Sequence, residues 1–290
     1  VNVRRLRLAA AQYPIEKLAS WDTFAQKLTD WIGEASGAGA ELALLPEYFS
    51  IEITATLGAA VYSSLPRQLE ALQDTLPAFL SLCSDLAADK ALYLCAGSYP
   101  VLDGGRYRNR SFLFWPERER WAYQDKLQMT RFESERWDVT SGAGLRLFET
   151  DFGRVATLIC YDIEFPLLAR RQVEQGAEIL LVPSCTDTLA GFHRVRTGCL
   201  ARALENQCYV VQAPTVGESP WSEAVDVNVG QAAVYAPSDI GFPADGVLTA
   251  GRLNEPGWVY CDLEPERIAA VRAGGQVFNH RDWDGQQRFL

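Results

Sequence analysis

Leu158-Ile159-Cys160-Tyr161-Asp162-Ile163-Glu164-Phe165-Pro166 is an apolar run that ends on a thiol, two carboxylates and a proline. Residues 155–161 read as a strand, and residues 166–175 carry helical spacing behind a proline that suits a first helical position. The same β-then-α pattern recurs outward from this stretch. Strand-like runs occur at 6–12, 42–46, 92–98, 111–115, 179–183, 209–213, 232–236, 247–250 and 258–263. Helical spacing occurs at 21–36, where Phe24, Leu28, Trp31, Ile32 and Ala35 share a face, and again at 69–89 and 195–206. Two separate β-then-α stretches, each ending in further strands, predict two sheets with helices outside them, in one layered α/β sandwich.

Composition narrows the function. The chain has 290 residues, 48% of them hydrophobic, which excludes a disordered chain. A net charge of −10 opposes binding to phosphate backbones, so no nucleic-acid partner is expected. Two histidines, His193 and His280, argue against a multi-histidine zinc site and against a serine hydrolase, so neither metal nor cofactor is expected. No run approaches the roughly 18 apolar residues of a membrane helix, so no membrane partner is expected. The start, Val1-Asn2-Val3-Arg4-Arg5-Leu6-Arg7-Leu8, carries three arginines with no long apolar stretch behind them. The seven cysteines form no CxxC pair. With that start, they suggest reduced thiols in a cytoplasm.

Ligands of layered α/β proteins usually bind beyond the carboxyl ends of strands. Three strand ends carry chemistry. The run Leu42-Ala43-Leu44-Leu45-Pro46 ends in Glu47, the run 155–161 delivers Cys160, and Lys126 follows Tyr123-Gln124-Asp125. Taken singly, these are a loop carboxylate, a packing cysteine and a solvated lysine. Cys83 and Cys199 lie on helical faces, and Cys95, Cys208 and Cys261 lie in strand runs, so they read as core residues. Cys185, after Pro183-Ser184, is less readily assigned.

Together, and in this order, the three segments resemble the nitrilase, or carbon–nitrogen hydrolase, superfamily. That family carries a Glu–Lys–Cys set on segments like Leu45-Pro46-Glu47, Asp125-Lys126 and Ile159-Cys160-Tyr161-Asp162, which here are spaced by 79 and 34 residues. Further matches are residues 176–184 and Arg202-Ala203-Leu204-Glu205-Asn206-Gln207. The resemblance runs from about residue 4 to about residue 265. It implies a four-layer α-β-β-α sandwich of two mixed sheets with helices outside, formed by residues 1–265. It also implies a C-terminal arm at 266–290 that crosses to a partner subunit in a homodimer or larger assembly.

The residue chemistry agrees with that resemblance. A thiol is only a few per cent thiolate at neutral pH, so Cys160 needs a base, and Glu47 in a partly desolvated pocket suits that role. Attack on an amide carbon creates an oxyanion, to which Lys126 and the Tyr161 backbone N–H can donate. Glu47 then protonates the leaving amine and later activates water against a thioester. Relatives often add a second Glu after the Lys, and Glu133 and Glu135 both qualify. Counting back six from Ser141-Gly142, where relatives have Pro-Gly, favours Glu135. Many relatives carry His-Trp where this chain has His193-Arg194, so these two are candidates for touching substrate, Arg194 through a substrate carboxylate. Tyr161 stands where true nitrilases have Trp, which favours an amide over a nitrile. The expected activity is hydrolysis of a small linear amide. The alternatives are an N-carbamoyl compound or ω-amide as substrate, or a catalytically silent interaction scaffold.

Overall fold

The computed structural model of the chain describes residues 5–289, so Val1 to Arg4 of the arginine-bearing start lie outside the described residues. Leu6–Pro14 shows why the sandwich forms. Its side chains alternate between two apolar surroundings: Leu6, Leu8 and Ala10 enter one, and Ala9, Ala11 and Tyr13 the other. A strand buried on both faces must be apolar on both, as this one is.

The first sheet is built around that strand. Leu42–Leu44 runs parallel to it and Tyr93–Cys95 parallel to Leu42–Leu44. Arg106–Phe114 continues antiparallel and pairs with Tyr99–Asp103 and Trp121–Asp125. Gly257–Leu263 lies antiparallel on the other side of Leu6–Pro14. In the second sheet Tyr209–Glu218, Ile179–Ser184 and Gly153–Thr157 are parallel neighbours. Phe148–Thr150, Ala233–Tyr235 and Val247–Ala250 add antiparallel strands at its margins. The strands of the two sheets pair at one corner, through Tyr13 with Thr215 and Pro14 with Val216.

Three apolar layers hold four layers of structure. Phe24, Leu28 and Ile32 of Trp21–Gly37 pack with Leu72, Phe79 and Cys83 of Leu65–Asp89 on the outer face of the first sheet. Leu8, Leu44 and Leu113 meet Leu181, Val211 and Val234 between the sheets. Ala169 and Val173 of Pro166–Glu174, with Val195 and Cys199 of Leu189–Asn206, cover Leu180 and Val210 on the far side. The chain is thus an α-β-β-α sandwich of two mixed sheets. Among the described residues no helix is long and apolar enough to cross a membrane.

Two boundaries differ from the sequence expectation. The strand before Cys160 ends at Thr157, and Cys160–Glu164 is a 3₁₀ turn. The helix expected at 195–206 begins at Leu189, because the Thr188 side chain caps it by accepting from the Gly191 N–H. The boundary expected at residue 265 falls at the start of a helix, Pro265–Gly274, whose Ile268 and Val271 are buried. Arg272 donates to the Asn206 and Gln207 carbonyls, and the Gln207 side chain in turn donates to Val277 O and accepts from His280 N. Chain carbonyls left over at the end of Leu189–Asn206 draw this segment onto the domain.

Leu181, fully buried between the sheets, tests the layer assignment. Leu181→Ala should cost about 2–5 kcal/mol of unfolding free energy, read from urea denaturation. A loss below that range would mean that the space between the sheets is not close-packed.

Candidate active site

The site grows from the carboxyl ends of strands of both sheets. Leu42–Leu44 leads to Glu47, Trp121–Asp125 to Lys126, Gly153–Thr157 to Cys160 and Ile179–Ser184 to Cys185. The Glu47 turn is held by close backbone contact. Tyr48 adopts φ 58 and its N–H donates to Ser98 Oγ at 3.0 Å. Gly97 adopts φ 52, and a Cβ there would lie 1.9 Å from the Pro46 carbonyl oxygen, so only glycine lets the two loops approach.

Lys126 is 1% exposed and its ammonium sits between two carboxylates, at 2.8 Å from Glu47 Oε1 and 2.7 Å from Glu133 Oε2. Asn109 Nδ2 donates to both acids, at 2.8 Å to Glu47 and 3.0 Å to Glu133. The Tyr48 hydroxyl donates to Glu133 Oε1 at 2.7 Å, and the Cys185 N–H to Glu47 Oε2 at 3.0 Å. These contacts lock both carboxylates in place.

The second carboxylate of the cluster is Glu133, which corrects the preference for Glu135. Thr130 caps the short helix Arg131–Glu135, and Glu133, three residues on, accepts from the Thr130 N–H and hydroxyl at 2.9 Å each. This reciprocal cap turns Glu133 inward. Glu135, two residues further round the helix, faces solvent and pairs with Arg131 at 2.9 and 3.0 Å. The Thr130-x-x-Glu133 spacing is itself a helix-start signature and is legible in the sequence.

Cys160 opens its 3₁₀ turn at φ 49, a left-handed backbone that side chains rarely adopt and that raises its thiol into the cleft. Asp162 ties this turn to the lysine loop. Its buried carboxylate accepts from the N–H groups of Ile159 at 3.2 Å, Leu127 at 3.1 Å and Gln128 at 2.7 Å. The Cys160 thiol donates to the Cys185 carbonyl oxygen at 3.7 Å, and Glu47 is close enough for the two groups to influence each other's ionisation.

Electrostatics separate the four groups. Burial pushes the Glu47 carboxyl up, against the pull of Lys126. Burial also raises Glu133, but Lys126 and the Thr130 donors more than reverse it and leave this acid below its ordinary value. Desolvation disfavours the Lys126 ammonium, yet Glu133 and Glu47 carry its pKa well above the usual lysine value. Burial, then the Glu47 charge, holds the Cys160 thiol protonated at rest. Burial raises Asp162 to about 7. The cluster is therefore a charged Glu133–Lys126 pair beside a proton-accepting Glu47 and a thiol.

A cleft of about 580 Å³ opens on this cluster, with Met129, Phe132, Trp137 and Val195 among its walls. Tyr161 lines it, with its ring edge-on to Phe165 at 4.9 Å. Arg194 reaches the mouth, where it faces Glu164 at 3.6 Å. His193 does not join them. It points outward from the helix into a shallow groove with Thr197 and Ala201, so its expected substrate contact is corrected. Asn109, Tyr48 and Asp162 were not anticipated. Asn109 is buried in the strand Arg106–Phe114 between Arg108 and Arg110, a setting that gives no local signal of its role.

The family model described as Carbon-nitrogen hydrolase matches residues 7–272. The "Probable hydrolase YhcX" of Bacillus subtilis is 34% identical over 96% of this chain, which spans 53% of that protein's length. "Omega-amidase NIT2" of Homo sapiens is 26% identical over 96% of this chain and 95% of its own. Among solved structures, a carbon-nitrogen hydrolase from Helicobacter pylori G27 aligns with TM-score 0.77 at 17% identity, covering 93% of each chain. An amidase mutant from Nesterenkonia sp. AN1, carrying the acetamide moiety of fluoroacetamide on its active-site cysteine, aligns with TM-score 0.71 at 23% identity, covering 98% of each.

Gly97→Ala is expected to push Pro46 and Glu47 away from the Gly97–Ser98 loop. Its melting temperature should fall several degrees and its reaction with iodoacetamide at Cys160 should change in rate together. An unchanged melting temperature would mean that the two loops are not held in contact.

Proposed function

The chain belongs to the carbon–nitrogen hydrolase family and is an enzyme of that class, and from that premise we propose that it hydrolyses a small, linear, non-peptide amide through a thioester on Cys160. The observation that carries this reading is the ammonium of Lys126 buried between Glu47 and Glu133 beside the Cys160 thiol. An ammonium has three donors. Two go to the carboxylates, which leaves one for the oxygen of an amide drawn against Cys160.

Each step then has a residue. As sulfur attacks the carbonyl carbon, Glu47 takes the thiol proton, and burial gives it the basicity to do so. The oxyanion is met by Lys126 and by the Tyr161 N–H. Glu47 returns the proton to the leaving amine, and a thioester remains. Glu47 next activates a water, whose attack releases the carboxylate. Glu133 and Asn109 act as positioning residues, since they hold Lys126 and Glu47 and leave the bond changes to others. The names of the omega-amidase relatives support including ω-amides among the substrates to be tried. We also propose that copies of the chain associate through the C-terminal residues, where Val277 and Phe289 are exposed. A monomer by light scattering would refute that.

Intact mass after brief incubation with small amides, ω-amides and N-carbamoyl amino acids tests the nucleophile. The wild-type protein should gain an acyl mass that Cys160→Ala does not, and turnover by Cys160→Ala would sink the assignment.

The two glutamates are separable. Glu133→Gln should lower kcat/KM by about 10²-fold by releasing Lys126, while Glu135→Gln should leave it unchanged. The opposite ranking would restore Glu135.

A general base must be ionised to act, so activity should fall as pH falls through the Glu47 pKa. Burial places that acid limb above the ordinary carboxyl value of 4.5. A pH–rate profile flat down to pH 4.5 would remove Glu47 from this role.

A further inference from the structure

Cys185 has no chemical part in the hydrolysis derived above, yet its side chain belongs to the same cleft. It follows the strand Ile179–Ser184 directly and is partly exposed, whereas Cys83, Cys95, Cys199 and Cys208 are fully buried in the apolar layers. The cleft is thus lined by two cysteines, Cys160 and Cys185. The Cys160 thiol already rests on the backbone of the other, 3.7 Å from its carbonyl oxygen. Bond lengths put a carbonyl oxygen within about 2.8 Å of its own Cα, so the Cys160 sulfur is at most about 6.5 Å from the Cys185 Cα. The Cys185 thiol contacts Asn228 Oδ1 at 3.5 Å and also meets the Thr215 hydroxyl. Turning that side chain off Asn228 brings the two sulfurs toward the span that a disulfide requires.

We propose that Cys160 and Cys185 are a redox pair, in which peroxide oxidises Cys160 and Cys185 resolves the product as an intramolecular disulfide that closes the site reversibly. In the first step the Cys160 sulfur attacks one oxygen of hydrogen peroxide. An S–O bond forms and the O–O bond breaks, Glu47 passes the thiol proton to the departing hydroxide, and one water leaves. In the second step the Cys185 sulfur attacks the sulfenic sulfur. The S–S bond forms, the S–O bond breaks, and the hydroxyl leaves as water with the Cys185 proton. Peroxide is reduced to two waters while the two thiols give up two electrons. The same base serves peroxide and amide, because both require a thiol that is protonated at rest to lose its proton only on attack. Without Cys185, further peroxide would carry Cys160 to the sulfinic acid, which thiols do not reverse.

The test treats the full chain with hydrogen peroxide, blocks free thiols, and maps the unreduced digest by mass spectrometry. The expected product is a Cys160–Cys185 cross-linked peptide, two hydrogens lighter than its parts, that dithiothreitol abolishes. Cys185→Ser should instead accumulate one and then two oxygens on Cys160. Wild-type oxygen addition at Cys160 without the cross-link would overturn the proposal, and so would a reduced Cys160 in both proteins. The activity arm rests on the hydrolase reading. Wild-type activity lost to peroxide should return on reduction, while that of Cys185→Ser should not, and equal recovery would overturn the pair. The mass readout needs no substrate, so failure to find an amide substrate and failure to find the disulfide are distinct results.

Discussion

A lysine ammonium taken out of water is costly, and this structure depends on how that cost at Lys126 is met. Two carboxylates, each within 3 Å, repay it, and they in turn need donors of their own. Asn109, Tyr48, the Thr130 backbone and hydroxyl, and the Cys185 N–H supply them. Removing one partner of such a buried pair leaves an uncompensated charge, typically a loss of about 3–5 kcal/mol. The cluster therefore constrains four separate segments at once. Its chemistry and its rigidity come from the same contacts.

The sandwich is what allows that network to exist. Strands buried on both faces carry mostly apolar side chains, with few buried polar exceptions such as Gln12 and Gln212. The charged groups of the site collect instead where the strands end. Asp162 joins the two halves there, because one carboxylate takes N–H groups from the nucleophile turn and from the lysine loop. A raised pKa near 7 is the cost of burying that tie. Glu47 and Glu133 show how one charge divides two identical side chains. The acid with more donors and the nearer ammonium stays ionised. The other is left basic enough to accept a proton.

Much of this was legible in order along the chain. Alternation in Leu6–Pro14, the helical stripe of Trp21–Gly37 and the apolar Ile179–Ser184 each state their element locally. Strands such as Tyr99–Asp103 and Trp121–Asp125 were not legible, since one carries Pro100 and neither is buried along its length. Their place comes from pairing with Arg106–Phe114. The helix Pro265–Gly274 hides for a similar reason: only Ile268 and Val271 are buried, too few for a stripe.

By itself the sequence determined the layered α/β class and the strand runs that lead to Glu47 and Cys160, because periodicity and residue type are local properties, while Lys126 was picked out by its order between those two segments. It left Glu133 and Glu135 as rivals, and His193 and Arg194 as equals. Only the tertiary structure chose between them. Two residues along a helix turn a side chain to the opposite face, and whether that face meets the buried cluster or water depends on a segment 86 residues away in the chain, at Glu47. Asn109 and Cys185 entered the site the same way. Nothing next to them in sequence marks their role: Asn109 meets Glu47 and Glu133 from another strand of the first sheet, and Cys185 meets Glu47 across the gap between the two sheets.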